Sequence, residues 1–269
     1  MRRDLPCGGR GTNFRSMKLL LVLGLPLALF AAEPTCPLPG YRFAWGDEFD
    51  GEKLDAAKWS YRTGPRLWSE QRAANVSLLD GKLRLTGLKE PAGDLKYTAG
   101  GVISKRLFRY AYYEASFKVP PGAGWHTSFW VLRNGGQGDE PRVEIDICEN
   151  DSVKPTDYGI NHHQWTPLPH VAMGGKHVKT PDLSAAFHVW GCEFTPTTLK
   201  HYFDGKLVHT FDATKLRHGD GNVWLTTLAA GLGGTKAVDE QRLPAFAEFE
   251  YVRVFLPAGE PAAVPPAAK

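Results

Sequence analysis

The chain has 269 residues, 42% hydrophobic and 23% charged, so it can bury a core and is not a disordered polymer. Its net charge of +3 is too small for a nucleic-acid-binding surface. Residues 1–32 hold Arg2, Arg3, Arg10, Arg15 and Lys18 against Asp4, a local +4 that leaves the body at −1, so bulk charge does not select its partner.

The first element is an apolar run over residues 19–32 behind those basic residues. It reads as a secretory signal peptide cleaved near Ala32, with Met17 as an alternative start. The run is too short to span a membrane. A secreted protein (extracellular or periplasmic) is expected, monomeric and free of any membrane span once cleaved. Cleavage removes Cys7 and leaves Cys36, Cys148 and Cys192, an odd number that permits at most one disulfide, Cys148–Cys192 being the first pair to test. No C-x-x-C spacing points to zinc.

Strand patterns dominate the body. Asp80-Gly81 and Asp204-Gly205 each separate two apolar alternations and supply the positive-φ pair of a two-residue hairpin. Residues 113–119 and 249–255 alternate with period two. Only residues 183–187 offer one or two helical turns. Short strands with 29 Gly and 20 Pro predict a single all-β sandwich domain over residues 33–256, followed by a Pro/Ala-rich, disordered tail over 257–269.

Three acids stand close together at Glu144, Asp146 and Glu149, interleaved with Val143, Ile145 and Ile147. On a strand, Glu144 and Asp146 share a face. Glu149 reaches that face only if one extra residue is inserted, a β-bulge at Ile147-Cys148. Three carboxylates on one sheet face repel one another, so structure alone gives no reason for them. A retaining glycosidase does: it needs two carboxyl groups about 5–5.5 Å apart, one nucleophile and one general acid/base. The two Glu Cα atoms would lie roughly 13–16 Å apart along a strand, so both side chains must lean inward. The charge of Asp146 between them disfavours ionising its neighbours, so one carboxyl can stay protonated near neutral pH. Taken alone, the string fits a solvated acidic edge strand equally well.

Residues 144–149 resemble the active-site signature of glycoside hydrolase family 16 in its bulged form, and other segments extend the resemblance in order along the chain. These are residues 45–51, 97–105, 112–115, 124–130, 202–206 and 251–254. The resemblance implies a concanavalin A-like β-jelly-roll of two curved antiparallel sheets with a concave cleft. It implies endo-acting, retaining cleavage of a β-linked polysaccharide, a β-1,3- or mixed-linkage glucan being favoured. By position Glu144 would be the nucleophile, Glu149 the general acid/base and Asp146 an assisting acid, with no cofactor required. Alternatives are a β-galactanase of the agar or carrageenan type and a transglycosylase. A lectin-like carbohydrate-binding domain is the reading from another class, and the intact acids argue against it.

Some positions depart from the family pattern. Relatives acting on β-1,3-glucan carry Trp-Pro-Ala where this chain has Trp125-His126-Thr127, and an expected Asn aligns with Thr227. Many relatives bind calcium through an Asp at the position of Glu250, so a structural Ca²⁺ held by Glu250 and the Glu48 backbone is an expectation here. For substrate, Trp125 and Trp130 fall on opposite faces of one strand, and Trp125, beside Gly122 and Gly124, is the expected sugar platform. His163 and Trp165 are expected substrate contacts; a metal reading of His162, His163 and His170 is the weaker one. Arg72 and Asn75, with Trp68 and Gln71, lie in a stretch expected to line the cleft. Asn75 and Asn150 begin glycosylation sequons.

Overall fold

The computed structural model describes residues 1, 33–135, 140–166 and 169–259. The leader and residues 260–269 of the expected tail lie outside the described residues. The chain divides into Met1–Glu33 and a unit from Pro34 onward, and the fold is that of the second unit.

Two sheets make up the domain. One runs, in spatial order, Val171–Lys179, Asp157–Thr166, Arg142–Asp151, Trp125–Leu132, Gly221–Ala229, Gly101–Phe108 and Trp59–Tyr61, antiparallel throughout. The other centres on Ala111–Lys118 and Ala245–Pro257. It continues through His188–Phe194, Thr198–Phe203 and Lys206–Asp212 on one side, and through Leu83–Ala92 and Leu95–Ala99 on the other. Ser69–Gln71 joins Leu95–Ala99 in parallel, a local exception to the antiparallel expectation. Both Asp-Gly pairs turn hairpins as expected, with φ of 53° and 66° at Asp80 and Gly81 and 46° and 74° at Asp204 and Gly205. Residues 183–187 form turns rather than helix.

The core lies between the sheets. Phe117 stacks on Trp190 at 3.8 Å and on Phe249 at 4.7 Å, and Tyr158 meets Trp190 edge-on. From the seven-stranded sheet, Phe129, Ile145, Ile147 and Cys148 face this layer, all fully or almost fully buried. Each large side chain removed from water in this way contributes roughly 1.5–3 kcal/mol before entropy is counted. The apolar positions of the acid-bearing strand therefore anchor it while the alternate positions face outward.

A buried histidine pair also links the sheets. His162 donates from Nδ1 to the Gly174 carbonyl at 3.0 Å, so its Nε2 accepts from His201 Nε2 at 2.9 Å. Burial pushes His162 down to about 4 and His201 well below the usual range, so both are neutral. His162 thus points into the core while His163, next on the strand, points outward, which separates the three histidines of the metal reading.

Cys36, Cys148 and Cys192 are all free thiols. Cys148 and Cys192, the first pair to test, come from different sheets, and Cys192 packs near His201. Asn75 and Asn150 are buried and their amides donate to protein acceptors, so neither sequon presents an acceptor nitrogen to solvent.

Candidate active site

The strand Arg142–Asp151 carries the expected bulge. Against its neighbour Trp125–Leu132, Trp130 pairs with Asp146 and Phe129 with Cys148, leaving Ile147 without a partner of its own. On the other side Asp146 pairs with Asn161 and Glu149 with Gly159, so two residues, Ile147 and Cys148, stand against one, Ile160. The extra residue lets Ile147 and Cys148 both enter the core and returns Glu149 to the side of Glu144 and Asp146. All three acids line one cleft of about 430 Å³ on the outer face of the sheet.

Parity of the pleat builds the rest of the cleft. On the neighbouring strand His126, Ser128, Trp130 and Leu132 face it, and on Gly221–Ala229 so do Trp224, Thr226 and Leu228. Trp130 and Trp224 stack at 4.6 Å, and Trp130 Nε1 donates to Thr226 Oγ1. The Arg62 guanidinium lies over both rings. Trp165 stands on the far side of the acids, its ring stacked on His170 at 4.0 Å.

Each acid has a distinct environment. Trp165 Nε1 donates to Glu144 Oε2 at 2.6 Å. Burial nevertheless raises the Glu144 carboxyl above its usual range; that hydrogen bond opposes the shift and the charge of Glu149 adds to it. Asp146 is nearly inaccessible, and burial followed by the charges of Glu149 and Glu144 holds it well above a normal carboxyl. Its Oδ2 is buried without a hydrogen-bond partner, 3.5 Å from His163 Nε2. Burial and the neighbouring charges therefore favour the protonated form of Asp146. Burial also disfavours the charged form of Glu149, but His126 and a short hydrogen bond from Asn161 Nδ2 outweigh it and lower the carboxyl. His126 is buried too, which alone would depress it. Its Nδ1, 2.8 Å from Asp151 Oδ1, and its Nε2, 3.4 Å from Glu149 Oε1, instead raise it to about 9.

Several expected contacts are placed differently. Trp125 is 2% exposed, packed with Tyr97, Leu228 and Val238, and its ring lies against Gly87. It is core, and Trp130 holds the cleft position. Proximity to glycines misled the sequence reading; pairing with the acids decides, since Trp130 sits opposite Asp146. For the same reason Thr226, not Thr227, faces the cleft. Asn75 donates to the Thr86 carbonyl and to Thr98 Oγ1, and Arg72 pairs with Glu70 and Glu90, so both serve the scaffold. Gln71 donates to the Gly100 and Thr227 carbonyls. Trp165 and His163 stand beside the acids, against Glu144 and Asp146 respectively. Sequence reasoning passed over Arg62, Arg66, Asn161 and Trp224 as site residues, and noted His126 only as a departure from pattern; the parity of the neighbouring strands would have brought His126 and Trp224 to the acid face.

Glu144, Asp146 and His163 place three donor atoms within 4.8 Å of one another, so a cation bound there would sit on the acids themselves. At the expected calcium position both Glu48 oxygens are bound by Arg253, and Glu250 accepts from Ser116 Oγ at 2.6 Å. The Glu48 carboxylate is thus engaged by a guanidinium, whereas the expectation names the Glu48 backbone carbonyl as the calcium ligand.

A family model described as "Beta-porphyranase A-D, GH16 domain" matches residues 44–223. The chain is 26% identical over 270 residues to a beta-glucanase of Rhodothermus marinus, covering 90% of this chain and 94% of that protein. It is 30% identical over 191 residues to beta-porphyranase E of Zobellia galactanivorans, covering 63% and 68%. The laminarinase catalytic domain of Thermotoga maritima superposes with a TM-score of 0.71 at 22% identity, over 80% of this chain and 98% of that one, a likeness of fold.

Proposed function

Since the chain belongs to glycoside hydrolase family 16 and is a glycosidase, we propose that it cleaves a β-linked polysaccharide internally, retaining configuration, with Glu144 as nucleophile and Glu149 as general acid/base. The observation that carries this is the bulge, which turns both glutamates to one cleft while keeping them on one strand. Glu144 attacks the anomeric carbon as Glu149 protonates the departing oxygen; Glu149 then takes a proton from water as that water displaces Glu144. Trp165 orients the Glu144 carboxylate through its indole N–H. Asp146, holding its proton, supplies an O–H to the negative charge that Glu144 carries before it attacks and regains when it is released. Internal cleavage is supported by a cleft that continues from the acids across the neighbouring strands, through Trp130 and Trp224, to Arg62 and Arg66. Export through the basic-then-apolar leader belongs to the same proposal, since a polysaccharide is met outside the cell.

A second substrate reading, an anionic β-galactan, is favoured by one feature. Arg62 and Arg66 line the cleft with no carboxylate within ion-pair distance among the described residues. Burial, with Arg66 adding to it, lowers Arg62 to about 10, so its charge is held at a desolvation cost that a bound anion would offset. Both readings are tested by reducing-end release from laminarin, a mixed-linkage glucan and a sulfated β-galactan. If the anionic reading holds, the galactan is cut fastest, and Arg62→Ala lowers kcat/KM on it roughly 10-fold or more, the worth of a charged hydrogen bond. Release from the glucans alone, unchanged by Arg62→Ala, supports the neutral reading. Binding without release from any of the three would leave a carbohydrate-binding protein and overturn the proposal.

A further inference from the structure

His126 stands where relatives acting on β-1,3-glucan carry proline, and the hydrolytic roles assigned above give it no part. It faces the cleft, 9% exposed, directly opposite Asp151 in the register of the two strands. Its two ring nitrogens meet two different acids: Nδ1 lies 2.8 Å from Asp151 Oδ1, and Nε2 lies 3.4 Å from Glu149 Oε1. We propose that His126 is a positioning residue that stores and returns the proton used by Glu149, with Asp151 holding the imidazole in place. The proposal rests on the acid/base reading of Glu149.

The surroundings of Asp151 make the string a built one. Gly233, at φ +62°, packs so closely that a Cβ there would lie 2.7 Å from Asp151 Cβ. The Ser152 amide donates to the Trp125 carbonyl at 2.8 Å and the Trp125 amide to Ser152 Oγ at 3.0 Å, fixing the two strand ends that carry Asp151 and His126. On the other flank, Leu228 opposes His126 and brings no charge. Glu149 and Asp151 are thus the ionisable groups facing His126. Glu149 in turn is faced by Asn161 and His163 from the next strand and by Asp146 and Glu144 from its own.

The proton count closes over one turnover. Before cleavage the imidazolium lies between two carboxylates. As the C1–O bond breaks and Glu144 bonds C1, His126 Nε2 passes its proton to Glu149, which delivers it to the departing oxygen, leaving Glu149 ionised beside a neutral imidazole that Asp151 keeps oriented. As water adds to C1 and Glu144 leaves, the water proton passes to Glu149 and back to His126. An isolated glutamic acid loses its proton in the carboxyl range, whereas a glutamate–histidinium pair keeps one until the imidazole titrates. That is why Glu149 can be ionised in the free enzyme and still serve as the acid.

The test is the pH profile of kcat/KM for wild type, His126→Gln and Asp151→Asn, with His126 titrated by ¹⁵N-histidine NMR. The alkaline limb reports the free enzyme's essential acid. It should move toward acid by roughly one pH unit or more in His126→Gln, since only Glu149 then holds the proton, and by less in Asp151→Asn. The wild-type His126 resonance should titrate on the alkaline side of an ordinary histidine and return toward it in Asp151→Asn. A raised KM with unmoved limbs would overturn the inference and make His126 a substrate contact. An ordinary His126 titration in wild type overturns it even if a variant fails to fold. Loss of activity in Glu149→Ala alongside an unmoved His126→Gln profile rejects this inference alone; full activity in Glu149→Ala rejects the acid/base reading beneath it.

Discussion

Glu144→Gln should lower kcat by roughly 10⁴-fold or more while leaving oligosaccharide binding intact or tighter. The amide has the shape of the carboxylate and still accepts from Trp165 Nε1, so the cleft is not remodelled. What disappears is the attacking oxygen anion, and with it the covalent route. Stability should move the other way. Burial raises the Glu144 carboxyl in the fold, so its charged form opposes folding, and the penalty is absent below the unfolded carboxyl range and grows as pH rises through the folded one. The Gln variant should therefore melt above wild type at neutral pH, with a gap that narrows in acid. Activity and melting curves on one preparation check both; a variant that still turns over within 10-fold of wild type would remove Glu144 from the nucleophile's role.

Glu149→Ala should cost about 10²–10⁴-fold on polysaccharide, the usual range for a lost general acid/base. The deficit should be small in the first step for an aryl glycoside, whose leaving group needs no proton. The intermediate then waits for a base that is gone. Azide needs none, and the shortened side chain opens the space beside Asn161 and His126 that Glu149 filled. Added azide should restore turnover and give a β-glycosyl azide, the same configuration as the substrate, identifiable by proton NMR. An α-azide would mean direct displacement without an intermediate. No rescue in a folded variant would take the acid/base role from Glu149.

How far the sequence reached follows from which forces are local. The hairpins at Asp80-Gly81 and Asp204-Gly205 were legible because positive φ is a property of two adjacent residues. The bulge at Ile147-Cys148 was legible because strict alternation would have buried Glu149 or exposed an apolar neighbour. Trp125 and Trp130 were read as lying on opposite faces, but which face was the cleft depends on the partner strand, and that pairing is not written in residues 125–130. Arg62 and Arg66 come from a segment some eighty residues before the acids, so nothing in their own neighbourhood announces the cleft. Asn75 lies in a stretch expected to line the cleft, whereas its amide is absorbed by Thr86 and Thr98 across a packed corner. Cys148–Cys192 is the first pair to test because an odd count permits at most one bond; which sheet each thiol enters is not written in the spacing, and the two lie in different sheets and are free.

One labelling experiment decides whether the kinked strand works as described. Incubating the enzyme with a 2-deoxy-2-fluoro glycoside of a cleaved oligosaccharide traps the sugar on whichever carboxylate attacks, and the modified peptide can be sequenced by mass spectrometry. The adduct should sit on Glu144, with Asp146 and Glu149 unmodified, and should be lost when a sugar acceptor is added. An adduct on Glu149 or Asp146, or turnover with inverted product and no adduct, would show that the bulge aims these acids at some other chemistry.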